Sequence, residues 1–200
     1  MPTIRPYRPA DFDALYDVCV RTGDNGGDAT ALYRDPRILP DIFTGPYLVL
    51  RPDLAFVLAD DADRAVGYII GAADTAAFVA DFRRDWLPTV AARYPEGSGS
   101  GWDAERIEQL HHPEWMWHEE LADYPAHLHI DLLPEAQGKG AGRALMGTYL
   151  AALRARGVRR VHLGMSAANH GARAFYDRLG FRELHRTADG RGLTLGRETD

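Results

Sequence analysis

The sequence predicts an α/β protein with a single mixed central sheet of about seven strands, flanked by helices. Short apolar runs alternate with longer segments in which apolar residues recur every three or four positions. A glycine-rich hexapeptide at 137–142 joins one such run to one such segment, in the order strand, turn, helix. The 200 residues, 46% of them hydrophobic, suffice for a sizeable core, so we expect residues 1–200 to form a single domain.

The N-terminal part is predicted to contain three strands and two helices. The strands cover 3–7, 55–59 and 65–73, and the helices cover 9–20 and 37–43. Asp60-Asp61-Ala62-Asp63 is a polar turn that joins the second and third strands into a hairpin. The Gly-, Asp- and Asn-rich segment 23–28 is expected to be a loop.

Residues 74–125 form a helical insertion between the third and fourth strands. Asp74 is a candidate N-cap for a helix over 75–86, and a second, polar helix is expected from 103 to about 112. The segment 95–101 is rich in Gly and Ser, which predicts a loop.

The C-terminal part is predicted to complete the sheet. Strands are expected at 128–133, 161–165, 181–185 and 193–197, with helices from the glycine-rich turn to about 156 and over 170–179. In the fourth strand, alternation places Leu128, Ile130 and Leu132 on one face and His129, Asp131 and Leu133 on the other.

The glycine-rich turn is Gln137-Gly138-Lys139-Gly140-Ala141-Gly142. Backbone N–H groups at a helix start lack partners within the helix and attract anions, and glycines let a phosphate approach the bare backbone. The spacing matches neither the P-loop nor the dinucleotide-binding pattern, which would need glycine at Arg143. Taken alone, the motif is also compatible with an ordinary strand-to-helix turn.

A second motif follows about 30 residues later, in the segment that runs from Asn169 through Ala172 and Tyr176 to Gly180-Phe181. The first motif, Q-x-x-G-x-G, and the second, N-x-x-A-x-x-x-Y-x-x-x-G-F, occur in the order typical of the GNAT superfamily of N-acetyltransferases. The chain resembles that superfamily. The resemblance implies the GNAT fold, acetyl-CoA as cosubstrate and transfer of an acetyl group to an amine. It also implies that the 74–125 insertion covers the acceptor site.

The resemblance assigns residues to the cofactor. Backbone groups of Leu132 and Leu133 would bind the pantetheine arm, which lies where the fourth and fifth strands diverge. The diphosphate would rest on the loop residues Gln137, Gly138, Lys139, Gly140, Ala141, Gly142 and Arg143. Further cofactor contacts are expected from Asn169, Ala172, Arg173, Phe175 and Tyr176.

Three residues are candidates for the chemistry. Tyr176 matches the superfamily's tyrosine acid, although its position on an apolar helix stripe is also that of a core aromatic residue. Asp131 is the best base candidate, because desolvation on a central strand would raise its pKa, but a hydrogen-bonded structural aspartate would occupy the same position. Asn169 matches a polar position near the cofactor, where it would orient a ligand or water.

A closer likeness covers almost the whole chain. The segments Ile4-Arg5-Pro6-Tyr7, Phe56-Val57-Leu58, Gly67-Tyr68, Ile130-Asp131 and Leu195-Gly196-Arg197 are similar to the acetyltransferase-like domain family at the C-terminus of animal O-GlcNAcases. Here the domain is expected to stand alone, as a bacterial-type protein without a glycosidase part. The animal domain has a degenerate cofactor loop, whereas the loop here is intact. Two hypotheses therefore remain, an N-acetyltransferase for an unidentified small-molecule amine or peptide, and a catalytically silent acetyl-CoA-binding or protein-interaction module.

Composition limits the remaining alternatives. Residues 1–135 hold 11 basic and 24 acidic side chains, and 136–200 hold 12 basic and 5 acidic. A basic C-terminal part suits the phosphates of coenzyme A, and an acidic remainder argues against nucleic acid and suits a cationic amine. The sequence has no signal-peptide pattern or long apolar run, so we expect a cytoplasmic protein that binds no membrane, as a monomer or homodimer.

Cysteine and histidine usage predicts no further chemistry. The single cysteine, Cys19, lies on an apolar helix stripe and is expected to be a small core residue. The histidines between 111 and 118 match no zinc spacing, so no metal is expected. Trp115 and Trp117 could line the acceptor site or pack the inserted helices.

Overall fold

The computed structural model describes residues 2–200. The described chain forms one sheet of seven strands, in the order β1-β2-β3-β4-β5-β7-β6. The strands are β1 (Thr3–Pro6), β2 (Phe56–Ala59), β3 (Ala65–Ala72), β4 (Ala126–Leu132), β5 (Arg160–Ser166), β6 (Arg182–Arg186) and β7 (Gly192–Glu198). Every neighbouring pair is antiparallel except β4 and β5, which are parallel. The mixed seven-stranded sheet predicted from the sequence is confirmed.

Eight α-helices connect these strands in the described chain. They are α1 (Phe12–Thr22), α2 (Ile38–Phe43), α3 (Gly45–Leu50), α4 (Thr75–Asp81), α5 (Leu87–Val90), α6 (Trp102–His111), α7 (Ala141–Ala155) and α8 (His170–Arg178). The sequence did not predict α3, because Gly45-Pro46 is typical of a turn. Proline is nevertheless tolerated in the first turn of a helix, where its missing N–H has no partner to lose.

The first inserted helix differs from the single helix predicted over 75–86. Asp74 caps it as expected, since its carboxylate accepts from the Ala77 N–H at 2.9 Å. However, α4 ends at Asp81 and a π-helical turn spans Phe82–Trp86 before α5. Both Phe82 and Trp86 are buried, and the Trp86 indole donates to the Asp41 carbonyl at 2.7 Å. The wider turn thus accompanies the burial of two large aromatic side chains.

Two apolar clusters cover the sheet. One joins the N-terminal helices and the insertion to β2 and β3, and the other joins α7 and α8 to β4, β5 and β7. A buried polar centre anchors the insertion within the first cluster. The Asp41 carboxylate, 1% exposed, accepts from the Tyr16 hydroxyl, the Tyr94 hydroxyl and the Arg93 guanidinium at 2.8–2.9 Å.

Strands β4 and β5 pair only at their beginnings. Ala126 lies opposite Val161 and His127 opposite His162, after which the two strands have no further register pairs. Strand β4 remains paired with β3 along its length, from Ala72 opposite His127 to Gly67 opposite Leu132. The second half of β4 therefore has an unpaired edge, and the space between the two strands is named the β4–β5 cleft.

Candidate functional site

The unpaired edge of β4 directs specific backbone groups into the β4–β5 cleft. The Leu133 N–H donates to the Val66 carbonyl at 3.0 Å, and the Leu133 carbonyl accepts from the Ala136 N–H. Because hydrogen-bonded residues alternate along an antiparallel strand, Ile130 and Leu132 direct their backbone groups away from β3 and into the cleft. Within the chain both backbone groups of Leu133 are occupied, whereas Leu132 keeps an N–H that faces the cleft. The predicted contacts of these two residues with the pantetheine arm stay a prediction.

The glycine loop has the backbone that its sequence requires. Gly138 and Gly140 adopt φ angles of +75° and +80°, which side chains other than glycine rarely tolerate. Gly140 is the residue before α7, and no side chain caps that helix start. The N–H groups of Ala141, Gly142 and Arg143 therefore form an uncapped positive end of a 15-residue helix.

Three predicted cofactor residues from three different elements converge beside the loop. A Cβ atom placed on Gly142 would lie 3.2 Å from the Phe175 ring and 3.9 Å from a Leu132 methyl group. Gln137 donates from its side-chain nitrogen to the Leu132 carbonyl at 2.8 Å, which ties the loop to the end of β4. The absence of a side chain at Gly142 therefore permits the close contact between α7 and α8.

The two cations of the glycine loop have no acidic partner within the described chain. Lys139 and Arg143 are exposed, and in the described chain neither forms an ion pair. By contrast Arg173, a predicted cofactor residue, is paired with Asp177 at 2.9 Å and Glu183 at 3.0 Å. Positive charge is thus left uncompensated at the start of α7.

Asn169 and Ala172 form the start of α8. The Asn169 side-chain oxygen accepts from the Ala172 N–H at 2.9 Å, as an N-cap does. The amide NH₂ of Asn169 remains available to donate to another group. The sequence contained the signal for this role, since asparagine before an amphipathic segment is typical of a helix start.

The Tyr176 ring is buried, but its hydroxyl is not. The residue is 8% exposed and packs edge-on against Phe175 and Phe181. Among residues 2–200 its hydroxyl has no hydrogen-bond partner, and no unpaired side-chain oxygen in that part of the chain is buried. The hydroxyl therefore has accessible surface. Burial of the ring and the nearby charge of Asp131 raise the pKa of Tyr176, so the phenol stays protonated at neutral pH.

Asp131 lies on the opposite face of β4 from Leu132 and is half-buried. Its carboxylate accepts a 2.6 Å hydrogen bond from Tyr68, whose hydroxyl also contacts the Thr44 hydroxyl at 3.1 Å. Burial raises the pKa of Asp131, and the hydrogen bond from Tyr68 opposes that rise. The charge of Asp131 also contributes to the raised pKa of Cys19. Both predicted properties, partial desolvation and a structural hydrogen bond, are present together.

A polar network that sequence reasoning missed continues along the same face. The Tyr47 hydroxyl lies 2.7 Å from His127 Nε2 and 3.0 Å from His129 Nε2. On its other side the His127 ring contacts the Thr75 hydroxyl through Nδ1 at 2.8 Å. Burial lowers the pKa of His127 well below its usual value and that of His129 to about 4, so both rings are neutral at pH 7. Alternation along the strand predicted that His129 shares a face with Asp131, but it did not predict the contact of His129 with Tyr47.

The insertion reaches this face through aromatic contacts. Trp115 packs edge-on against Phe43 at 5.9 Å between ring centroids, and Phe43 packs against His129 at 5.8 Å. The Arg106 guanidinium of α6 also lies over the Phe43 ring. Trp117, in contrast, is 40% exposed, so only Trp115 joins the cluster.

The histidines between 111 and 118 do not converge. His111 contacts the Tyr94 carbonyl at 2.7 Å, whereas His112 lies 3.0 Å from Glu96. Within residues 2–200 no three His, Cys, Asp or Glu side chains are grouped as metal ligands. No helix of the described chain is long and apolar enough to cross a membrane.

The mixed sheet, the β4–β5 cleft and the glycine loop define a protein of the GNAT fold. The chain belongs to the acetyltransferase (GNAT) family, whose sequence profile matches residues 28–181. The family predicted from the two motifs is thereby confirmed.

The predicted likeness to O-GlcNAcase is also confirmed. Protein O-GlcNAcase of Rattus norvegicus is 28% identical over 186 residues, which make up 91% of this chain and 20% of that protein. The chain therefore spans about a fifth of the length of this relative. In two solved structures the whole fold recurs. The crystal structure of SsHAT has 55% identity and a TM-score of 0.94, covering 100% of this chain and 98% of that one.

The second solved structure is a phosphinothricin acetyltransferase from Sinorhizobium meliloti in complex with AcCoA. It has 17% identity and a TM-score of 0.58, covering 98% of this chain and 88% of that one. At this identity the likeness concerns the fold alone.

Proposed function

We propose that this protein is an acetyl-CoA-dependent N-acetyltransferase that acts on a small-molecule amine or a peptide amine. One observation carries the proposal: the uncapped start of α7 lies beside Leu132, on the edge of β4 that is left unpaired in the β4–β5 cleft. Membership of the GNAT family and the AcCoA complex of a protein with the same fold support acetyl-CoA as the cosubstrate.

The glycine loop would bind the diphosphate of acetyl-CoA. The N–H groups at the start of α7 have no capping side chain and are free to donate to an anion, and the helix dipole adds positive potential there. Lys139 and Arg143 add positive charge that no described ion pair compensates. A negatively charged group is therefore favoured at this position over a neutral one.

The pantetheine arm would continue from the loop into the β4–β5 cleft. Its amide groups would extend the sheet by bonding to the backbone of Ile130 and to the Leu132 N–H, since the Leu132 carbonyl already accepts from Gln137. The Leu132 N–H would polarise the thioester carbonyl, because an N–H that points at a developing oxyanion stabilises it more than it stabilises the neutral carbonyl.

Acetyl transfer requires a neutral amine, which attacks the thioester carbon while the carbon–sulfur bond breaks. We propose that Asp131 accepts the proton that the nitrogen loses and that Tyr176 donates a proton to the departing thiolate. The raised pKa of the Asp131 carboxyl makes it a stronger base, and the raised pKa of Tyr176 keeps its proton available. A protonated amine thus ends as an amide and coenzyme A as a free thiol, with one net proton released to solvent.

Asn169 and the insertion complete the proposed site. Asn169 caps α8, and its remaining NH₂ group could orient a ligand or water near Tyr176. The insertion packs through Trp115 onto Phe43, beside His129, so it would cover the face on which the acceptor approaches Asp131.

A second candidate function is a catalytically silent acetyl-CoA-binding or interaction module. The observation that favours it is the structural use of two candidate residues, since Asp131 is bonded to Tyr68 and Asn169 caps a helix. Both candidates require cofactor binding, so only turnover of an acceptor distinguishes them.

The test of the proposal begins with calorimetry of acetyl-CoA binding, with desulfo-CoA and ATP as comparison ligands. Saturable binding that prefers acetyl-CoA over ATP is expected, followed by release of coenzyme A thiol in the presence of an amine panel. Absence of acetyl-CoA binding would overturn both candidate functions. Binding without turnover across the panel would favour the silent module.

A further inference from the structure

The hydrogen bonds around Tyr47 have only one consistent direction. Thr75 is the fixed end, because its hydroxyl oxygen lies 2.7 Å from the Pro125 carbonyl oxygen, which can only accept. The Thr75 proton therefore lies between these two oxygens, since two acceptors at that distance would repel each other. It follows that Thr75 accepts from the Nδ1–H of His127 at 2.8 Å.

The position of the proton on His127 also determines the directions of the hydrogen bonds at Tyr47 and His129. A neutral His127 that carries its proton on Nδ1 has a lone pair on Nε2, which lies 2.7 Å from the Tyr47 hydroxyl. Tyr47 donates its single hydroxyl proton to this nitrogen rather than to the Met116 sulfur, a weak acceptor at 3.8 Å. Tyr47 then has no proton left for His129, and its oxygen accepts from the Nε2–H of His129 at 3.0 Å. A neutral His129 consequently has its lone pair on Nδ1.

The Nδ1 atom of His129 is accessible. In the described chain it has no hydrogen-bond partner, and no unpaired side-chain nitrogen there is buried. The hydrogen bonds that run from Thr75 through His127 and Tyr47 thus fix the tautomer of His129. The Nδ1 atom of His129 is therefore a hydrogen-bond acceptor at the surface of β4. A group that can only accept would find no donor at this atom.

We propose that His129 is a specificity-determining residue, whose Nδ1 accepts a hydrogen bond from a second donor group of the amine substrate. This inference rests on the proposed acetyltransferase function and narrows its substrate class. His129 and Asp131 lie two residues apart on one strand face, which separates their positions by about 6–7 Å. The substrate class is therefore an amine that carries a hydroxyl or N–H donor about that distance from its reactive nitrogen.

The face of β4 that carries His129 and Asp131 suits such a substrate chemically. Asp131 supplies negative charge for the amine, and the carbon chain between the two polar groups can lie against Phe43, which packs on His129. Tyr47, His127 and Thr75 act as positioning residues, since they hold the His129 tautomer and do not themselves reach the proposed substrate.

The first experiment measures the tautomers directly, by long-range proton–nitrogen NMR of the protein labelled with ¹⁵N-histidine. His127 is expected to carry its proton on Nδ1 and His129 on Nε2. In the presence of coenzyme A, 5-aminopentan-1-ol should shift the His129 Nδ1 resonance in a saturable manner, and 5-methoxypentan-1-amine should not. A His129 proton on Nδ1, or no shift with 5-aminopentan-1-ol, would overturn the inference.

The second experiment compares acetylation of 5-aminopentan-1-ol, pentan-1-amine and 5-methoxypentan-1-amine. The wild-type protein should prefer the aminoalcohol in kcat/KM by about three- to tenfold, the range of one neutral hydrogen bond. His129→Asn places an amide oxygen near the Nδ1 position and should keep the preference. His129→Gln reaches the Nε2 position instead and should lose it.

Equal preference in the two variants would overturn the role of Nδ1. If none of the three amines is acetylated, the proposed catalytic function fails for this class, and the NMR titration still decides whether His129 recognises a donor. Loss of acetyl-CoA binding in calorimetry concerns the proposed function and leaves the tautomer result unaffected.

Discussion

The Tyr68 hydroxyl donates a 2.6 Å hydrogen bond to Asp131 Oδ2 across the β3–β4 pair. The two residues lie directly opposite each other in the antiparallel register. This bond holds the only carboxylate of β4 in a half-buried position and stabilises its charged form, while burial acts in the opposite direction. Burial has the larger effect, so the pKa of Asp131 is raised. The raised pKa affects the stability of the fold as well as the proposed catalysis.

Asp131→Asn is expected to increase thermal stability at neutral pH. The pKa of Asp131 is higher in the folded protein than in the unfolded chain. Ionisation of Asp131 therefore lowers the free energy of unfolding at pH values above the folded-state pKa. This loss is absent below the unfolded-state pKa, near 4, where the carboxyl is protonated in both states. The variant should therefore unfold at a higher temperature at pH 7 to 8, with the difference vanishing as the pH falls below about 4. Scanning calorimetry across this range measures it, and a variant that is less stable at pH 7 would contradict the argument.

Tyr176→Phe is expected to lower kcat about 10²- to 10⁴-fold, the usual contribution of a general acid. Stability and acetyl-CoA affinity should change little, because the hydroxyl forms no hydrogen bond within the described chain and the ring is retained. Steady-state kinetics with an acetylated amine, together with calorimetry, separate these quantities. Unchanged turnover would leave Tyr176 as a packing residue only.

Gly140→Glu is expected to abolish acetyl-CoA binding. A side chain at a φ of +80° strains the loop by about 1–2 kcal/mol, and the carboxylate would repel the diphosphate. Gly147→Glu is the matched control, since Gly147 is exposed on the same helix, has no positive φ and has open space around its Cα. Calorimetry should show normal affinity for the control. Normal affinity in both variants would remove the glycine loop from the cofactor site.

Asp41→Ala is expected to destabilise the protein by about 2–5 kcal/mol. The substitution removes the shared acceptor of Tyr16, Tyr94 and Arg93 from a site that is 1% exposed. Asp53→Ala is the control, because Asp53 is exposed and its pair with Arg156 should contribute less than about 1 kcal/mol. Urea unfolding measures both, and equal losses would show that the Asp41 centre does not anchor the insertion.

Cys19 is expected to resist thiol reagents in the folded protein. It is 5% exposed, and burial, with the charge of Asp131, raises the pKa of its thiol to about 12. Labelling by a disulfide reagent at pH 8 should be slow in buffer and rapid in urea, because only the thiolate reacts. Thiol release from acetyl-CoA can then be followed without background. Rapid stoichiometric labelling of the native protein would show that the core around Cys19 opens easily.

Local sequence signals predicted the elements that form the proposed cofactor site. Residues at positive φ favour glycine, so the backbone of the loop at Gly138 and Gly140 follows from residue type within a few positions. The Asp74 and Asn169 caps are equally local, because a cap bonds to an N–H three residues away. Alternation along β4 likewise placed His129 and Asp131 on one face.

The sequence by itself therefore determined the family, the succession of strands and helices along the chain and the position of the glycine loop. Only the tertiary structure decided that the Leu133 N–H donates to the Val66 carbonyl and that Tyr68 donates to Asp131. It also decided that the Tyr47 hydroxyl joins His127 to His129. These partners lie 63 to 82 positions apart along the chain, and Leu133 and Val66 are separated by a similar distance. Backbone preferences act over a few residues, whereas such pairs depend on strand register and on how helices pack across the sheet.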